Sequence, residues 1–483
     1  MTIITKLITC NKQLPQSLLL ILLSLFASAA QASDLDGARL SVWFASPFVG
    51  LLLSIALLPL LLPKLWHQHF GKIAAGWGLM FILPCALQFG SEAVLLLISH
   101  TLFAEYFPFI ILLSTLFVVA GGICVHGNLH GTPELNVFLL ALGTALASIM
   151  GTTGAAMLMV RPLIRANDNR QHVQHVIVFF IFLVANAGGA LTPLGDPPLF
   201  LGYLQGVDFL WTLKHLSAHT LFLCSSLLVI FYALDKYYFH HREEELPVRL
   251  DPTPDSAIRI EGKWNFALLA LVVALVLMSG AWKPGVSFAL FGVKLELQNV
   301  LRDVGLLLVL VISLKLVPDG APAREGNEFS WAPISEVAKL FAAIFLTIIP
   351  VIAILKAGTS GAFSWVIHAV SDSQGQPINA MYFWASGVLS SFLDNAPTYL
   401  VFFNTAGGDA SALMGPMAGT LAAISCGSVF MGAMSYIGNA PNMMVKSIAE
   451  QRGIAMPSFF AYMSWSCGIL LPLFALMTLL FFK

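Results

Sequence analysis

Charged side chains are scarce in this chain, and their scarcity excludes most soluble architectures. Of the 483 residues only 10% are charged and 58% are hydrophobic, whereas a typical soluble domain carries about 25% charged residues. So few polar side chains cannot cover a protein of this length in water, but a lipid bilayer favours an apolar exterior. The formal net charge of -1 gives no indication of a nucleic-acid partner. The composition therefore predicts a membrane protein surrounded by lipid.

Cysteine chemistry and hydrolytic motifs are also missing from the sequence. The six cysteines form no C-x-x-C pair and have no histidine cluster beside them, which favours small buried apolar residues over metal ligands or disulfides. Neither H-E-x-x-H nor G-x-S-x-G occurs, so the sequence offers no zinc or serine protease motif. An intramembrane enzyme is only a minor alternative, and no cofactor is expected.

The first 32 residues have the pattern of a secretory signal peptide. Lys6 and Lys12 precede the apolar run 17–26, and an A-x-A site ends at Ala32. An apolar core of about ten residues is short against the roughly 20 that a spanning helix needs. We therefore predict cleavage after Ala32, with an uncleaved first helix as the alternative. Cleavage would place the mature N-terminus on the outer face of a bacterial inner membrane.

Long apolar runs predict about ten membrane-spanning helices. They fall near residues 47–63, 73–90, 107–125, 173–206, 217–235, 264–282, 298–316, 335–355, 412–446 and 457–482. Two further apolar stretches, 135–166 and 379–405, carry polar and small residues at their centres, and we interpret them as re-entrant hairpins. Irregular backbone at membrane depth is tolerated only where protein or a wet cavity surrounds it.

The basic residues orient the chain and divide it into two halves. Counted from an external N-terminus, the more basic loops all fall on the cytoplasmic side, so the positive-inside rule agrees with the signal peptide. The most charged of these loops, 236–263, is interpreted as a solvated cytoplasmic linker. It separates a first transmembrane half, 33–235, from a second half, 264–483.

The strongest signal is a motif that occurs once in each half. The segments 189–198 and 432–441 share the pattern G-A-x-[ST]-x-x-G-[DN]-x-P and are 243 positions apart. The polar centres of the two hairpins, beginning at Ser148 and Ser391, keep the same separation. Two motifs in one register indicate an internal repeat. Because one hairpin opens to the cytoplasm and its copy to the outside, the repeat is predicted to be inverted.

The residue types in these motifs suit ion binding at the bilayer midplane. Glycine and proline in mid-span interrupt the helical hydrogen bonds and expose backbone groups that hydrocarbon cannot satisfy. Broken helix ends add their dipoles, and an acid at this depth is costly enough to suggest a function. The predicted transport and ion-binding residues are Asp394, Asn395, Thr398, Asp196, Thr192, Gly195, Asn186, Ser148, Thr152, Thr153, Ser435, Gly438, Asn439 and Asn442. Arg161, in the exit limb of the first hairpin, is either an interfacial residue or an anion ligand.

At these residues the chain resembles the ion-transporter superfamily of secondary carriers. The segments 127–132, 161–170, 186–200 and 393–399 are similar to a bacterial subfamily described as citrate transporters or sodium:proton antiporters. The resemblance implies two inverted repeats, each with a re-entrant hairpin and a discontinuous helix, and commonly a homodimer. It also implies sodium at two tips, Thr152/Gly195 and Asn395/Gly438. Symporters of the superfamily carry Ser-Asn-Thr at both tips, whereas this chain has Gly-Thr-Thr at 151–153 and Asp-Asn-Ala at 394–396.

Two transport functions remain open from the sequence. In a sodium/proton antiporter, a midplane carboxylate binds either a cation or a proton, and Asp394 and Asp196 suit that role. In a cation-coupled carrier of citrate or another organic anion, helix N-termini would bind the anion. No cationic residue occurs in the two motifs, which favours antiport. The coupling or transported ions would be Na⁺ and H⁺.

Overall fold

The computed structural model describes residues 35–243 and 256–483. The predicted signal peptide, residues 1–32, lies outside the described residues. The described part is predominantly helical, and ten of its helical segments are long and apolar enough to cross a membrane. A polytopic membrane protein is therefore confirmed at the level of architecture.

The first half contains nine α-helices, which we number in chain order. They are α1 Ser46–Leu61, α2 Pro63–Phe89, α3 Ser91–His100, α4 Phe107–Gly121, α5 Pro133–Met150, α6 Thr152–Ala166, α7 Gln174–Leu183, α8 Pro197–Leu204 and α9 Phe209–Tyr238. Short 3₁₀ segments cover Val42–Ala45 and Ala187–Leu191, and π-helical segments cover Thr101–Tyr106 and Phe239–Glu243.

The second half continues the numbering from residue 264. Its helices are α10 Trp264–Ala281, α11 Leu297–Lys315, α12 Gly320–Gly326, α13 Ala332–Thr347, α14 Ile349–Lys356, α15 Ser364–Ala369, α16 Asn379–Phe392, α17 Asn395–Thr405, α18 Ala410–Met414, α19 Ala418–Phe430, α20 Ala440–Gln451 and α21 Phe459–Phe481. Two 3₁₀ segments cover Gly358–Ser360 and Met431–Met434.

Within residues 35–243 and 256–483, two small antiparallel sheets lie outside the helices. Strand β1, Cys124–Asn128, pairs with β2, Ser256–Glu261, and strand β3, Ser287–Leu290, pairs with β4, Val293–Glu296. Strand β2 belongs to the segment 236–263 that was interpreted as a solvated linker. Part of that segment is therefore ordered against the first half. We call the end of the molecule at which strands β1 and β2 lie the β1–β2 end.

The spanning helices agree with the predicted apolar runs in all but one case. The exception is 412–446, which divides into a shorter apolar segment, Ala418–Met434, and α20. The remaining long helix is α5, the first arm of the predicted hairpin 135–166. Its 18 residues extend about 27 Å at 1.5 Å per residue, close to the thickness of a hydrocarbon core.

The element boundaries follow the register of the sequence repeat. Helices α6 and α17 begin at residues 152 and 395, and α8 and α20 begin at residues 197 and 440. Both pairs are 243 positions apart, the separation of the two motifs. In each half a helix-turn-helix unit packs against a helix that breaks into a 3₁₀ segment and resumes: α5 contacts the segment Ala187–Leu191, and α16 contacts Met431–Met434.

The broken helices lie at the centre of the molecule. In the segment Gln174–Leu191, 89% of the residues of the apolar window are buried inside the protein, against 22% in Pro63–Phe89. A helix that is apolar on all sides and covered by protein needs no lipid contact. Most polar residues of the two breaks are therefore buried in protein, among them Asn186, Asp196, Ser435 and Asn439.

Candidate ion-binding site

Four helices begin at one buried point where the two halves meet: α6, α8, α17 and α20. Their N-cap residues are Gly151, Asp196, Asp394 and Asn439, two pairs in the register of the repeat. The first turn of a helix leaves backbone N–H groups without intrahelical partners and carries a positive partial charge. A negative group is therefore stabilised at this point, and the carboxylate of Asp196 occupies it.

Three neutral side chains donate hydrogen bonds to the Asp196 carboxylate. Oγ1 of Thr152 lies 2.9 Å from Oδ1, Nδ2 of Asn439 lies 3.1 Å from Oδ1, and Nδ2 of Asn395 lies 2.5 Å from Oδ2. Asp196 itself is 1% exposed. Thr152 comes from the first hairpin, Asn395 from the second, and Asn439 from the second break. Both hairpin tips and both breaks thus meet at one acid.

This carboxylate has no cationic partner in the part of the chain that the structure describes. One further polar atom at the site is unsatisfied, because Oδ1 of Asn395 is buried without a hydrogen-bond partner. Carboxylate and amide oxygens are the ligands that hard cations prefer. Asp196 and Asn395 together can therefore hold a proton or a small cation between the two halves.

In both halves a hydroxyl group of the broken helix donates a hydrogen bond to the neighbouring hairpin. Oγ1 of Thr192 donates to the carbonyl oxygen of Ser148 at 2.5 Å, and the hydroxyl of Ser435 donates to the carbonyl oxygen of Ser391. Each hydroxyl also accepts a hydrogen bond from the backbone amide two residues later, at 3.2 Å in both halves. These bonds satisfy backbone groups that the interrupted helices leave open.

Two asparagines join the broken helices directly. Nδ2 of Asn186 donates to Oδ1 of Asn442 at 2.8 Å, and Oδ1 of Asn186 accepts from Nδ2 of Asn439 at 3.2 Å. Asn442 also donates to the carbonyl oxygens of Gly432 and Ser435, both at 2.9 Å. The two bonds of Asn186 link the halves and hold the breaks side by side around Asp196, and those of Asn442 to Gly432 and Ser435 stabilise the second break.

The glycines of the motif allow close backbone contacts. A Cβ atom on Gly195 would lie 2.1 Å from the carbonyl oxygen of Gly189, and one on Gly438 would lie 2.5 Å from that of Gly432. The backbone amide of Thr152 donates to the carbonyl oxygen of Gly195 at 2.8 Å. At the first predicted sodium position, Thr152/Gly195, the backbone of the hairpin therefore contacts the backbone of the broken helix.

Three of the predicted residues lie beside the central cluster. Asp394 accepts from the amide of Ala396 at 3.1 Å and so caps α17. Thr398 donates to the carbonyl oxygen of Asp394 within the same helix, at 3.0 Å. Thr153 is half-buried on α6, one residue beyond Thr152. The structure thus distinguishes the two acids: Asp196 receives the hydrogen bonds from the other half, and Asp394 caps the start of α17.

One comparison with known proteins decides the family. The family model described as "Putative citrate transport" matches residues 37–482, nearly the whole chain. The chain belongs to this family. A search of curated proteins found no match. Membership confirms the resemblance inferred from the motifs and, with the ten apolar helices, makes the chain a polytopic membrane transporter rather than a member of an enzyme family.

This transporter also contains a buried charged network that our sequence analysis missed. Asp235, which is 0% exposed, accepts from Arg170 at 2.6 Å and from Asn136 at 2.9 Å, and His175 lies 2.7 Å from the same carboxylate. The network ties α5, α7 and α9 to the connection after α6. An acid at the end of the apolar run 217–235 was the available signal, because charges there are rarely tolerated without partners.

Proposed function

We propose that this transporter exchanges Na⁺ for H⁺ at the carboxylate of Asp196. One observation carries the proposal: a fully buried carboxylate receives only neutral hydrogen-bond donors, and an unpartnered amide oxygen of Asn395 lies beside it. A buried negative charge is costly unless a proton or a cation neutralises it. In our proposal the carboxylate alternates between these two occupants, so one ion must leave before the other binds.

The repeat supplies a route to each side of the membrane for this exchange. Helices α6 and α20 contact each other, α6 also contacts β1, and α8 contacts α17. We propose that the first pair runs from Asp196 toward the β1–β2 end and the second pair runs the opposite way. We propose that the halves form an inverted repeat with two re-entrant hairpins, and that rocking of one half against the other exposes Asp196 to each side in turn. The hydrogen bonds from Thr192 to Ser148 and from Ser435 to Ser391 would keep each hairpin and its neighbouring break together during that motion.

The positions of the basic residues support a proposal for the orientation in the membrane. Arg165, Arg324 and Arg452 lie at or near the β1–β2 end, where they contact β1, the α11–α12 region and Glu328 respectively. We propose that this end is cytoplasmic and that the mature N-terminus is outside.

Transport of citrate or another organic anion is the second candidate, and two observations favour it. The family description names citrate, and four helix N-termini, which attract anions, meet at Asp196. Against it, the hydrogen-bond donors at this point already serve the protein's own carboxylate. A substrate carboxylate would have to displace Asp196 or to bind while that residue is protonated.

Purified protein in liposomes that contain a pH-sensitive dye separates the two functions. We expect a pulse of Na⁺ or Li⁺ to move protons without citrate, a K⁺ pulse to have no effect, and Asp196→Asn to abolish the signal. Asp394→Asn should weaken Na⁺ affinity less, since Asp394 caps α17 and does not receive the inter-half bonds. Proton movement that requires citrate would instead establish the second function.

The matched control is Asp409→Asn. Asp409 caps α18 by accepting from Ser411 at 2.9 Å, is exposed, and lies away from Asp196. This substitution makes the same chemical change at a helix cap without touching the proposed site. Full Na⁺-driven proton movement in Asp196→Asn would refute the assignment of Asp196.

A further inference from the structure

Arg161, on α6, is a buried arginine with unused hydrogen-bond donors. The sequence left open whether Arg161 is a residue of the membrane interface or an anion ligand. It is 6% exposed, so its side chain does not extend to the membrane interface. Its Nη2 lies 3.3 Å from Oε2 of Glu328, whereas Nε and Nη1 are buried without a partner. A buried guanidinium with two unsatisfied nitrogens is costly. A ligand that accepts from those nitrogens would remove the cost.

Two further arginines lie close to Arg161 and form a cationic cluster with it. Arg165 is one helical turn beyond Arg161 on the same face of α6; its Nη2 donates to the carbonyl oxygen of Val125, and its Nε is buried and unpartnered. Arg452, just after α20, lies 2.8 Å from Oε1 of Glu328. The guanidiniums of Arg161 and Arg452 thus pair with one carboxylate, and Arg165 lies close to both arginines, which leaves an excess of positive charge.

The carboxylate of Glu328 can be displaced from the arginines. Its side chain is 51% exposed, and its backbone is in the left-handed region with a φ of 51°, where residues other than glycine are uncommon. The preceding residue, Asn327, fixes the loop by donating to the carbonyl oxygens of Gly121 and Ile123 at 3.0 and 2.6 Å. The carboxylate can therefore swing into solvent while the loop remains anchored.

Space for a ligand lies next to the cluster. Of the three arginines, Arg452 lines a pocket of about 690 Å³ between the α6–α7 and α20–α21 connections, with Gln171, Gln174 and Trp465 among its walls. A volume of this size lies within the range of small-molecule sites. An anion entering this pocket meets Arg452 at its wall.

We propose that Arg161, Arg165 and Arg452 bind a soluble di- or tricarboxylate, and that Glu328 occupies the site when the ligand is absent. The present occupant identifies the chemistry, because it is itself a carboxylate whose two oxygens each pair with one arginine. The excess of positive charge selects a ligand with more than one carboxylate.

This site is distinct from Asp196. Arg161 is nine positions beyond Thr152 on α6, about 13 Å along a helix axis. It lies toward the β1–β2 end, so a carboxylate bound there does not touch the proposed exchange site. The inference therefore does not depend on whether the protein exchanges Na⁺ for H⁺ or transports an organic anion.

Citrate binding to the purified full-length protein tests the proposal by titration calorimetry in phosphatidylcholine nanodiscs. Wild type should bind citrate, and Glu328→Gln should bind it about ten-fold more tightly because the internal competitor loses its charge. Arg161→Gln should weaken binding at least about ten-fold. Glu325→Gln and Arg259→Gln make the same changes at exposed positions and should bind citrate as wild type does.

Several results would overturn the proposal. Citrate affinity that Glu328→Gln leaves unchanged would exclude Glu328 as an internal competitor, even if Arg161→Gln fails to fold. Binding lost in Asp196→Asn but kept in Arg161→Gln would assign citrate to the central site instead. Equal affinity for inorganic phosphate would exclude carboxylate selectivity, and citrate binding abolished by phosphatidylglycerol in the nanodisc would identify a lipid headgroup as the occupant.

Discussion

Nδ2 of Asn395 donates a hydrogen bond to Oδ2 of Asp196 at 2.5 Å, although the two residues are 199 positions apart. Asn395 is the first residue of α17, and Asp196 is the N-cap of α8. One bond thus joins the second hairpin to the first break. Any rocking of one half against the other must lengthen or break this bond, so the occupant of Asp196 and the arrangement of the halves are coupled.

The first prediction concerns Asn395 itself. Asn395→Ala removes a donor to a charged group, worth about 1.5–3 kcal/mol, together with the unpartnered Oδ1. We expect the apparent Michaelis constant for Na⁺ to rise at least about ten-fold in the liposome assay. Asn404→Ala is the control, because Asn404 is equally buried on the same helix but bonds only to the carbonyl oxygen of Leu400. Equal effects of the two substitutions would contradict a role for Asn395 at the site.

Asp394 is predicted to contribute to stability mainly as a helix cap. Asparagine also caps helices well, so Asp394→Asn should unfold at nearly the wild-type temperature. Asp394→Ala should lose about 1 kcal/mol of unfolding free energy, measured in detergent by thermal or denaturant unfolding. If Asp394→Asn lost as much stability as Asp394→Ala, the negative charge rather than the cap would be the stabilising feature.

The motif glycines are predicted to tolerate no side chain. Gly195→Ala and Gly438→Ala would each place a Cβ atom at most 2.5 Å from a backbone carbonyl oxygen, and backbone there cannot move without separating hairpin from break. We expect both to unfold at markedly lower temperature, by a loss of about 1–3 kcal/mol or more. Gly468→Ala, in α21 with nothing within 4 Å of the added atom, should gain up to about 1 kcal/mol.

The sequence indicated where the helices break but did not distinguish the two acids. Glycine, proline and hydroxyl residues recur in register, and local backbone chemistry explains where α8 and α20 resume. The choice between Asp196 and Asp394 depends on which side chain meets residues from the other half. That choice depends on packing between residues about 200 positions apart, for which a single sequence contains no signal.

The arginine cluster was only partly accessible from the sequence for the same reason. Arg161 was noted as a candidate anion ligand, but its partner Glu328 lies 167 positions away. Glu328 belongs to a loop without a motif. Its placement depends on the amide of Asn327 meeting the end of α4, a tertiary contact that composition and periodicity do not predict.

The buried network around Asp235 is predicted to fix the first hairpin to α9. Asp235→Asn removes the carboxylate that pairs with the guanidinium of Arg170, which is 5% exposed, and breaking one side of a buried pair costs about 3–5 kcal/mol. We expect a large fall in the unfolding temperature in detergent. Asp36→Asn, which breaks the exposed pair with Arg39, should cost less than about 1 kcal/mol.

The last prediction concerns a double substitution that transfers the carboxylate from position 196 to its counterpart, position 439. Asn439 is the counterpart of Asp196 at a separation of 243, and its Nδ2 lies 3.1 Å from Oδ1 of that acid. Asp196→Asn combined with Asn439→Asp exchanges the two side chains and keeps an amide donor facing a carboxylate. If the halves form a functional repeat, Na⁺-driven proton movement should recover at least about ten-fold over Asp196→Asn alone.

Recovery should remain incomplete, because the new carboxylate would lose the hydrogen bonds that Nδ2 of Asn439 donates to the carbonyl oxygen of Ala185 and to Asn186. Asn439→Asp by itself is the control: it places two acids in contact, and like charges disfavour ionisation of both. A double variant as inactive as Asp196→Asn, with a wild-type unfolding temperature, would show that the two positions are equivalent in the fold but not in transport.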